Sequence, residues 1–267
     1  LRVNHACHTT PLGAENREET ADWPGQLRRA LRERHGDDLP VALLNGACGD
    51  VNPGGYSAED SALGKIIPNR TFERCTEIGD TLAAALDNAP VSTEPKCDLP
   101  LAAVTQTIEL PIVELPPVEE LQQEVERLQG LVGELEAKDG PEEALDRARL
   151  DLMYAQGRLG RAKRYAEEET RSVRAELQVI AIGDIALLAM PGEVFTEIGT
   201  ALKSDSPFAH TWIAGYANDS IGYFPTPEEM RKGGYEALVS PFSAEAIEQM
   251  MHAARALLRR AREQIGD

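Results

Sequence analysis

Four short segments of the chain place polar side chains directly after apolar runs. They span residues 4–10, 45–55, 190–193 and 218–236. Side chains at the end of a buried strand project into a crevice that loops can shape, and functional residues concentrate in such places. These segments are therefore the candidates for chemistry, although each also has a purely structural interpretation that the residues alone leave open.

The first two segments offer imidazole, carboxylate and amide groups. His5 and His8 lie three residues apart and cannot share one face of a strand, because strand side chains alternate with a period of two. At most one of them is expected to point into a site. Asp50 and Asn52 lie among glycines at 46, 49, 54 and 55, which indicates close backbone approach or positive φ. This segment is either a contact loop or a simple turn. It is not a phosphate-binding loop, because no Gly-Lys-Ser/Thr sequence follows.

The last two segments add a carboxylate and two phenols. Glu193 directly follows an apolar run near the start of a predicted helix. A carboxylate there either meets a metal ion or stabilises the helix dipole. Tyr223 and Tyr235 lie in glycine-rich stretches, where tyrosines are either packing anchors or functional groups.

Hydrophobic patterning predicts the elements that must position these residues. The fold class is α/β, a mixed sheet with packed helices. A central hairpin is expected from two apolar runs joined by Gly183-Asp184. The inward face of the second helix is expected to include Phe72, and Ser243 is expected to cap the last helix. The predicted strands are 41–44, 104–113, 175–182, 185–190 and 211–217, and the predicted helices are 24–34, 70–86, 193–202 and 243–264.

Residues 117–170 have a different character from the rest of the chain. Apolar residues repeat at alternating spacings of four and three over 121–135 and again over 145–166, with a break at 138–141. Two such heptad seams joined by a turn predict an inserted antiparallel helical hairpin. The hairpin is either a self-contained structural arm or an arm for oligomerisation or partner docking, and it contains no visible catalytic group.

Composition excludes several classes of function. The 267 residues include 27 Lys and Arg against 45 Asp and Glu, a net charge of −18, which argues against nucleic-acid binding. No stretch approaches the roughly 18 apolar residues of a membrane span. The four cysteines are too few and too scattered for a disulfide scaffold, so we interpret them as small buried thiols, with one or two disulfides as the alternative.

Taken in order, the four segments resemble motifs of the N-terminal catalytic domain of neutral (alkaline, non-lysosomal) ceramidases and their bacterial relatives. Residues 8–10 are similar to a His-Pro-Thr-like element, and residues 49–53 to a Gly-Asp-Val-Ser-Pro element. Residues 191–193 match Pro-Gly-Glu, and 218–236 match an Asn…Tyr…Thr…Glu-Glu…Tyr-Glu element. The resemblance covers roughly 1–60 and 174–243. It implies a ceramidase-like domain over 1–116 and 174–267, interrupted by the insertion at 117–170.

The resemblance implies a zinc-dependent hydrolase of a linear amide, with Zn²⁺ as cofactor and a small-molecule or lipid amide as substrate. His8, Glu193 and Tyr223 would be metal ligands, and Tyr235 a hydrogen-bond donor to the developing oxyanion. Gly49 and Asp50 would contact substrate, whereas His5 matches no ligand and is expected either to support a ligand by hydrogen bonding or to be structural. The family also implies a secreted or periplasmic location, which the residues themselves leave unknown.

Two departures from the family pattern bear on mechanism. The other zinc histidine of the family, besides the one that His8 matches, lies in an upstream His-x-His element with no counterpart in these 267 residues. We expect either that the chain is truncated before this element, so that the N-terminal part of the domain is missing, or that the missing part is a separate segment. The family serine falls at Asn52, and an amide cannot act as an activated nucleophile, so Asn52 would position substrate. The alternatives are a non-catalytic binding or structural protein that retains the fold, and a metal hydrolase acting on a different amide or an ester.

Overall fold

The computed structural model describes residues 1–13, 16–54, 60, 63–65, 68–89, 97–166 and 171–266. Gly55 in the second candidate segment and residues 167–170 at the end of the predicted insertion lie outside these ranges. The described residues form a mixed α/β fold, which confirms the predicted fold class. The strands are β1 (Arg2–His5), β2 (Ala42–Asn45), β3 (Leu101–Pro111), β4 (Ser172–Ile182), β5 (Ile185–Ala189), β6 (Glu193–Val194), β7 (His210–Ala214) and β8 (Tyr223–Phe224).

The helices separate into long packing elements and two short ones near the end of the chain. The long helices are α1 (Asp22–His35), α2 (Phe72–Asp87), α3 (Val118–Ala137), α4 (Glu142–Ala166), α5 (Thr196–Ser204) and α8 (Ala244–Ile265). The short helices are α6 (Pro227–Lys232) and α7 (Tyr235–Val239). None of the helices in the described ranges is both long enough and apolar enough to cross a membrane.

The strands form one four-stranded sheet and two parallel pairs. The larger sheet has the order β3-β4-β5-β7, antiparallel except for the parallel β5–β7 pair. β1 pairs in parallel with β2, and β6 with β8. Asn4 links the sheets, because its side-chain amide donates to the carbonyls of Leu44 at 3.1 Å and Ile213 at 2.8 Å. The carboxyl ends of β1, β2, β5 and β7 are thereby brought to a common edge.

The main hydrophobic core lies between the larger sheet and α8. Buried α8 residues such as Met250 and Leu257 belong to one cluster with Leu177 and Leu188 of the sheet. Ser243 caps α8 as predicted, since its Oγ accepts a hydrogen bond from the Ala246 amide at 3.2 Å. A one-sided apolar stripe and a capping serine are both local signals, which is why the sequence predicted this helix.

A second core lies between α1 and α2 beside β1. It contains Trp23, Leu27 and Leu31 of α1. The prediction that Phe72 faces inward is wrong, because its side chain is 44% exposed. Phe72 is the first residue of α2, directly after the capping residue Thr71, and the buried face of the helix starts one turn later at Cys75.

The helices α3 and α4 form the predicted inserted antiparallel hairpin. Glu124 pairs with Arg158, and Glu136 pairs with Arg149, each at 2.8 Å, so the two helices run in opposite directions. The hairpin leaves the body where β3 ends and β4 begins, and the Ile112 amide donates to the Arg171 carbonyl at 3.1 Å at its base. The division of the chain into a catalytic domain and an insertion stays a prediction.

Candidate functional site

The candidate site lies at the edge where the parallel strands end. His8 follows β1, the loop of residues 46–53 follows β2, Glu193 follows β5, and Tyr216 follows β7. In open α/β sheets ligands bind in the crevice outside the carboxyl ends of the strands. Three of the four candidate segments thus meet because of strand direction, and the fourth joins them through β8.

Three polar side chains form the centre of the site. His8 Nε2 lies 3.6 Å from Glu193 Oε2, and the two side chains are only 12% and 16% exposed. The Tyr216 hydroxyl donates to Glu193 Oε2 at 3.0 Å and lies 3.1 Å from His8 Nδ1. Because its one proton goes to Glu193, the phenol oxygen accepts the Nδ1 proton of His8. In the neutral form of the imidazole the lone pair is then on Nε2, which lies 3.6 Å from Glu193 Oε2.

Tyr223 reaches the same cluster through the short β6–β8 pair. The parallel register places Glu193 opposite Tyr223. Burial and a hydrogen bond to Glu193 raise the pKa of Tyr223 above its usual range, so its phenol is protonated in the free protein. The Tyr223 ring lies edge-on to His8 at 6.3 Å and to Tyr235 at 6.1 Å between ring centroids. The structure therefore brings together His8, Glu193, Tyr223 and Tyr235.

The backbone around His8 is held from two sides. Its amide donates to the Val51 carbonyl at 2.8 Å, and its carbonyl accepts from Trp23 Nε1 at 2.9 Å. Asn52, the next residue after Val51, is half-buried beside this contact. His5 instead packs edge-on against Trp23 at 5.5 Å, where burial lowers its pKa. Of the two histidines, only His8 belongs to the cluster.

The glycine at position 49 allows two backbone segments to meet. The Gly49 amide donates to the Val194 carbonyl at 2.9 Å. A Cβ atom at this position would lie 2.5 Å from the Glu193 carbonyl oxygen, a separation that real structures avoid. The close backbone approach inferred from the glycine content is present here, and it places the loop after β2 directly against Glu193. A role for Gly49 in substrate binding stays a prediction.

Asp50 fastens the same loop to the start of α5. Its two carboxylate oxygens accept from the backbone amide and the hydroxyl of Thr196, each at 2.7 Å. A carboxylate at a helix N-terminus satisfies a free amide and interacts favourably with the helix dipole. These contacts explain Asp50 structurally, and its predicted contact with substrate stays a prediction, as does that of Asn52.

Replacing Asp50 by Ala is expected to lower the free energy of unfolding by about 1 kcal/mol, because α5 loses the acceptor at its N-terminus. The measurement is the midpoint of chemical denaturation followed by circular dichroism. Asp50→Asn keeps one acceptor oxygen and is expected to lose less. An Asp50→Ala protein as stable as the wild type would contradict this assignment.

Sequence reasoning missed two residues of the site, Tyr216 and Cys48. The predicted strand 211–217 extended over Tyr216, whereas β7 ends at Ala214 and Tyr216 adopts a left-handed φ of 56°. A correct strand end would have marked Tyr216 as a strand-end polar residue like the others. The Cys48 Sγ lies 3.8 Å from the Tyr216 hydroxyl. Burial, with Cys48 and Glu193 nearby, raises the pKa of Tyr216, so its phenol stays protonated.

All four cysteines are described by the structure and are free thiols, with Cys7, Cys48 and Cys75 buried and Cys97 exposed. The interpretation as buried thiols holds for three of them. Burial raises the pKa of Cys48 to about 11, and it also raises the pKa values of Cys7 and Cys75.

Iodoacetamide at pH 8 is therefore expected to alkylate Cys97 and to leave the three buried thiols unmodified, because the thiolate is the reacting form. Peptide mass spectrometry of the native protein measures this, and labelling in denaturant is the control. Fast native labelling of Cys48 would contradict the prediction.

The donor types in the cluster are those of a metal site. His8 offers nitrogen, and Glu193 and Tyr223 offer oxygen, which are ligand types that zinc accepts. Ligand atoms about 2.0–2.1 Å from a tetrahedral zinc lie about 3.4 Å from each other, and the 3.6 Å between His8 Nε2 and Glu193 Oε2 is close to this. Within the described ranges, no group of three or more His, Cys, Asp or Glu side chains is placed to hold a metal ion, so a phenol would have to supply the third donor.

Comparison with solved structures identifies proteins of similar fold. The neutral ceramidase from Pseudomonas aeruginosa superposes with a TM-score of 0.57 at 15% identity, covering 97% of this chain and 44% of that chain. A ceramidase complexed with C2 superposes with a TM-score of 0.57 at 14% identity, covering 100% of this chain and 46% of that one. No family model and no curated protein matches the sequence. The chain thus has a ceramidase-like fold and spans less than half the length of these ceramidases.

Proposed function

We propose that this chain carries the active site of a zinc-dependent hydrolase that cleaves a neutral linear amide, as a ceramidase does. The observation that carries the proposal is the convergence of His8, Glu193 and Tyr223 at the strand ends of a ceramidase-like fold. These residues come from distant parts of the chain, and the motif resemblance selected the same three.

The residues of the cluster would have different roles in amide hydrolysis. His8 through Nε2, Glu193 and Tyr223 would hold zinc, which when bound polarises a carbonyl and lowers the pKa of water. Tyr216 orients two of these donors, because its hydroxyl contacts both His8 Nδ1 and Glu193 Oε2. Such supporting hydrogen bonds fix the orientation of metal-binding side chains.

Tyr235 is suited to stabilise the charge that develops on the amide carbonyl oxygen. Its ring lies 6.1 Å from that of Tyr223, which places its phenol beside the donor cluster. A phenol is a neutral hydrogen-bond donor, and a preorganised donor at an oxyanion lowers the barrier to acyl transfer. Asn52, with an amide side chain in place of a nucleophile, would orient the substrate.

The charge around the cluster favours a neutral substrate. Glu193 and Glu236 both raise the pKa of Tyr223 through their negative charge. A bound zinc ion would offset the charge of its ligand Glu193, so the Glu236 carboxylate is the negative charge that an anionic substrate would meet. We therefore expect a neutral N-acyl amide to be preferred over an N-acyl amino acid, whose carboxylate lies next to the scissile bond.

The test combines metal analysis with a panel of substrates. Zinc-loaded and dialysed protein is assayed for bound metal and for fatty acid release from a short-chain N-acylsphingosine, an N-acyl amino acid and a matching ester, with and without chelator. We expect zinc near one equivalent, and hydrolysis of the neutral amide that chelator removes and zinc restores. Cleavage of the ester alone would indicate a different metal hydrolase. Protein that binds no zinc and cleaves nothing would favour a non-catalytic protein, the alternative that Asn52 supports.

A further inference from the structure

The helical hairpin contacts the short helix that carries Tyr235. Arg161 of α4 donates from Nη1 to the Val239 carbonyl at 2.7 Å and from Nη2 to the Leu238 carbonyl at 2.9 Å. These carbonyls lie at the C-terminal end of α7, where the last carbonyls of a helix lack partners within it. A guanidinium there satisfies two of them and interacts favourably with the negative end of the helix dipole.

The contact continues from α7 to the strand that carries Tyr223. Ser240, the residue after α7, is 3% exposed, and its hydroxyl donates to the Tyr223 carbonyl at 2.9 Å. The Ser240 amide donates to the Glu236 carbonyl at 3.0 Å, inside the last turn of α7. One continuous set of hydrogen bonds thus links Arg161, the end of α7, Ser240 and Tyr223.

The helix α7 depends on contacts from outside itself for its position. It has five residues, too few for a helix to be stable by itself. Gly233 and Gly234 precede it with φ values of 78° and 108°, in the region that favours glycine, so its N-terminal connection is conformationally permissive. Its C-terminal end is where the hairpin and β8 hold it.

We infer that Arg161 makes the hairpin a positioning element of the candidate site, because it fixes the helix that bears Tyr235 against the strand that bears Tyr223. The guanidinium is half-buried, and burial lowers its pKa, so its desolvation has a cost that the two carbonyls offset. Its Nε is buried and has no acceptor among the described residues, which leaves these two carbonyls as its hydrogen-bond acceptors. The effect on catalysis rests on the proposed function, but the hydrogen-bonded link between Arg161 and α7 does not.

The hairpin offers a matched control for this inference. Arg158 lies one turn earlier on α4 and pairs with Glu124 inside the hairpin at 2.8 Å. Arg158→Met therefore removes a guanidinium from the same helix without removing a bond to α7. Arg161→Met removes both bonds to α7, and Arg161→Lys keeps a single cationic donor of similar reach.

The experiment measures amide hydrogen exchange in α7 and in the core helix α8 of the full chain. In Arg161→Met we expect the Leu238 and Ser240 amides to exchange about tenfold faster or more. This factor corresponds to the free energy of the charge-assisted hydrogen bond that is lost. Protection in α8 should be unchanged, Arg158→Met should match the wild type, and Arg161→Lys should be intermediate. Wild-type exchange of α7 in Arg161→Met would overturn the inference. If Arg161→Met also loses protection in α8, Arg161→Lys is compared with Arg158→Met instead. Faster exchange of the Leu238 and Ser240 amides in Arg161→Lys than in Arg158→Met would support the inference, and equal exchange would overturn it.

Kinetics then test the catalytic consequence separately. On the neutral amide, Arg161→Met should lower kcat about tenfold with KM and bound zinc unchanged, because Tyr235 is displaced while the metal ligands remain. An unchanged kcat together with faster exchange in α7 would overturn the catalytic role of the coupling. Should the wild type hydrolyse nothing, the proposed function fails, and the exchange measurement still decides whether Arg161 positions α7.

Discussion

Replacing Glu193 by Gln is expected to remove bound zinc and hydrolytic activity together. Glu193 is the one carboxylate at the centre of the cluster: it lies 3.6 Å from His8 Nε2 and accepts the Tyr216 hydroxyl at 3.0 Å. Gln keeps the shape of the side chain but removes the negative charge that would hold a divalent cation. It also places an NH₂ group, which cannot bind a cation, beside the atoms that would bind zinc. We expect zinc affinity to fall by more than about 100-fold. Residues that only hydrogen-bond to a metal ligand cause losses of up to about 100-fold, and the loss of a ligand should be larger.

Metal analysis after dialysis and assays with excess zinc measure the two effects of Glu193→Gln. The matched control is Glu197→Gln, which changes an exposed glutamate in the first turn of α5. It should retain wild-type zinc content and activity. If Glu193→Gln holds zinc at wild-type stoichiometry, Glu193 is not a ligand, and the proposed arrangement of the site is wrong.

Local patterns in the sequence were sufficient to predict the long elements of the fold. The helix α8 has a one-sided apolar stripe and Ser243 as its cap, and the hairpin has two heptad seams with a break between them. These signals repeat within a few residues, so neither depends on which distant segment packs against it. The edge of the site was also predictable in part, because apolar runs that end in polar residues indicated where strands stop.

The contacts inside the site were not predictable, because they depend on pairing between distant segments. Glu193 meets Tyr223 through β6 and β8, which have two residues each and therefore no detectable period. Asp50 caps a helix that starts 146 positions later in the chain. Tyr216 was missed because the predicted strand 211–217 ran three residues past Ala214, where β7 ends. Motif order suggested the functional residues, but strand directions and the pairing of β6 with β8 bring them together.

Replacing Tyr235 by Phe is expected to lower turnover by about 100-fold while zinc remains bound. Phe keeps the ring that packs edge-on against Tyr223 at 6.1 Å and removes only the hydroxyl. If that hydroxyl donates to the developing oxyanion, its loss raises the energy of the transition state without weakening substrate or metal binding. The loss should therefore appear in kcat, with KM and zinc content close to those of the wild type.

Tyr223→Phe is the informative comparison, because the two tyrosines lie side by side and are assigned different roles. Tyr223 contacts Glu193 and His8 and would supply the third donor to zinc, so its hydroxyl should affect metal retention first. Zinc bound by Tyr235→Phe and released by Tyr223→Phe would separate an oxyanion donor from a ligand. If both variants lose zinc, or if both keep zinc and full turnover, the assignment fails. The opposite pattern, with zinc lost only in Tyr235→Phe, would make Tyr235 the ligand and would move the metal toward α7, the helix that Arg161 holds.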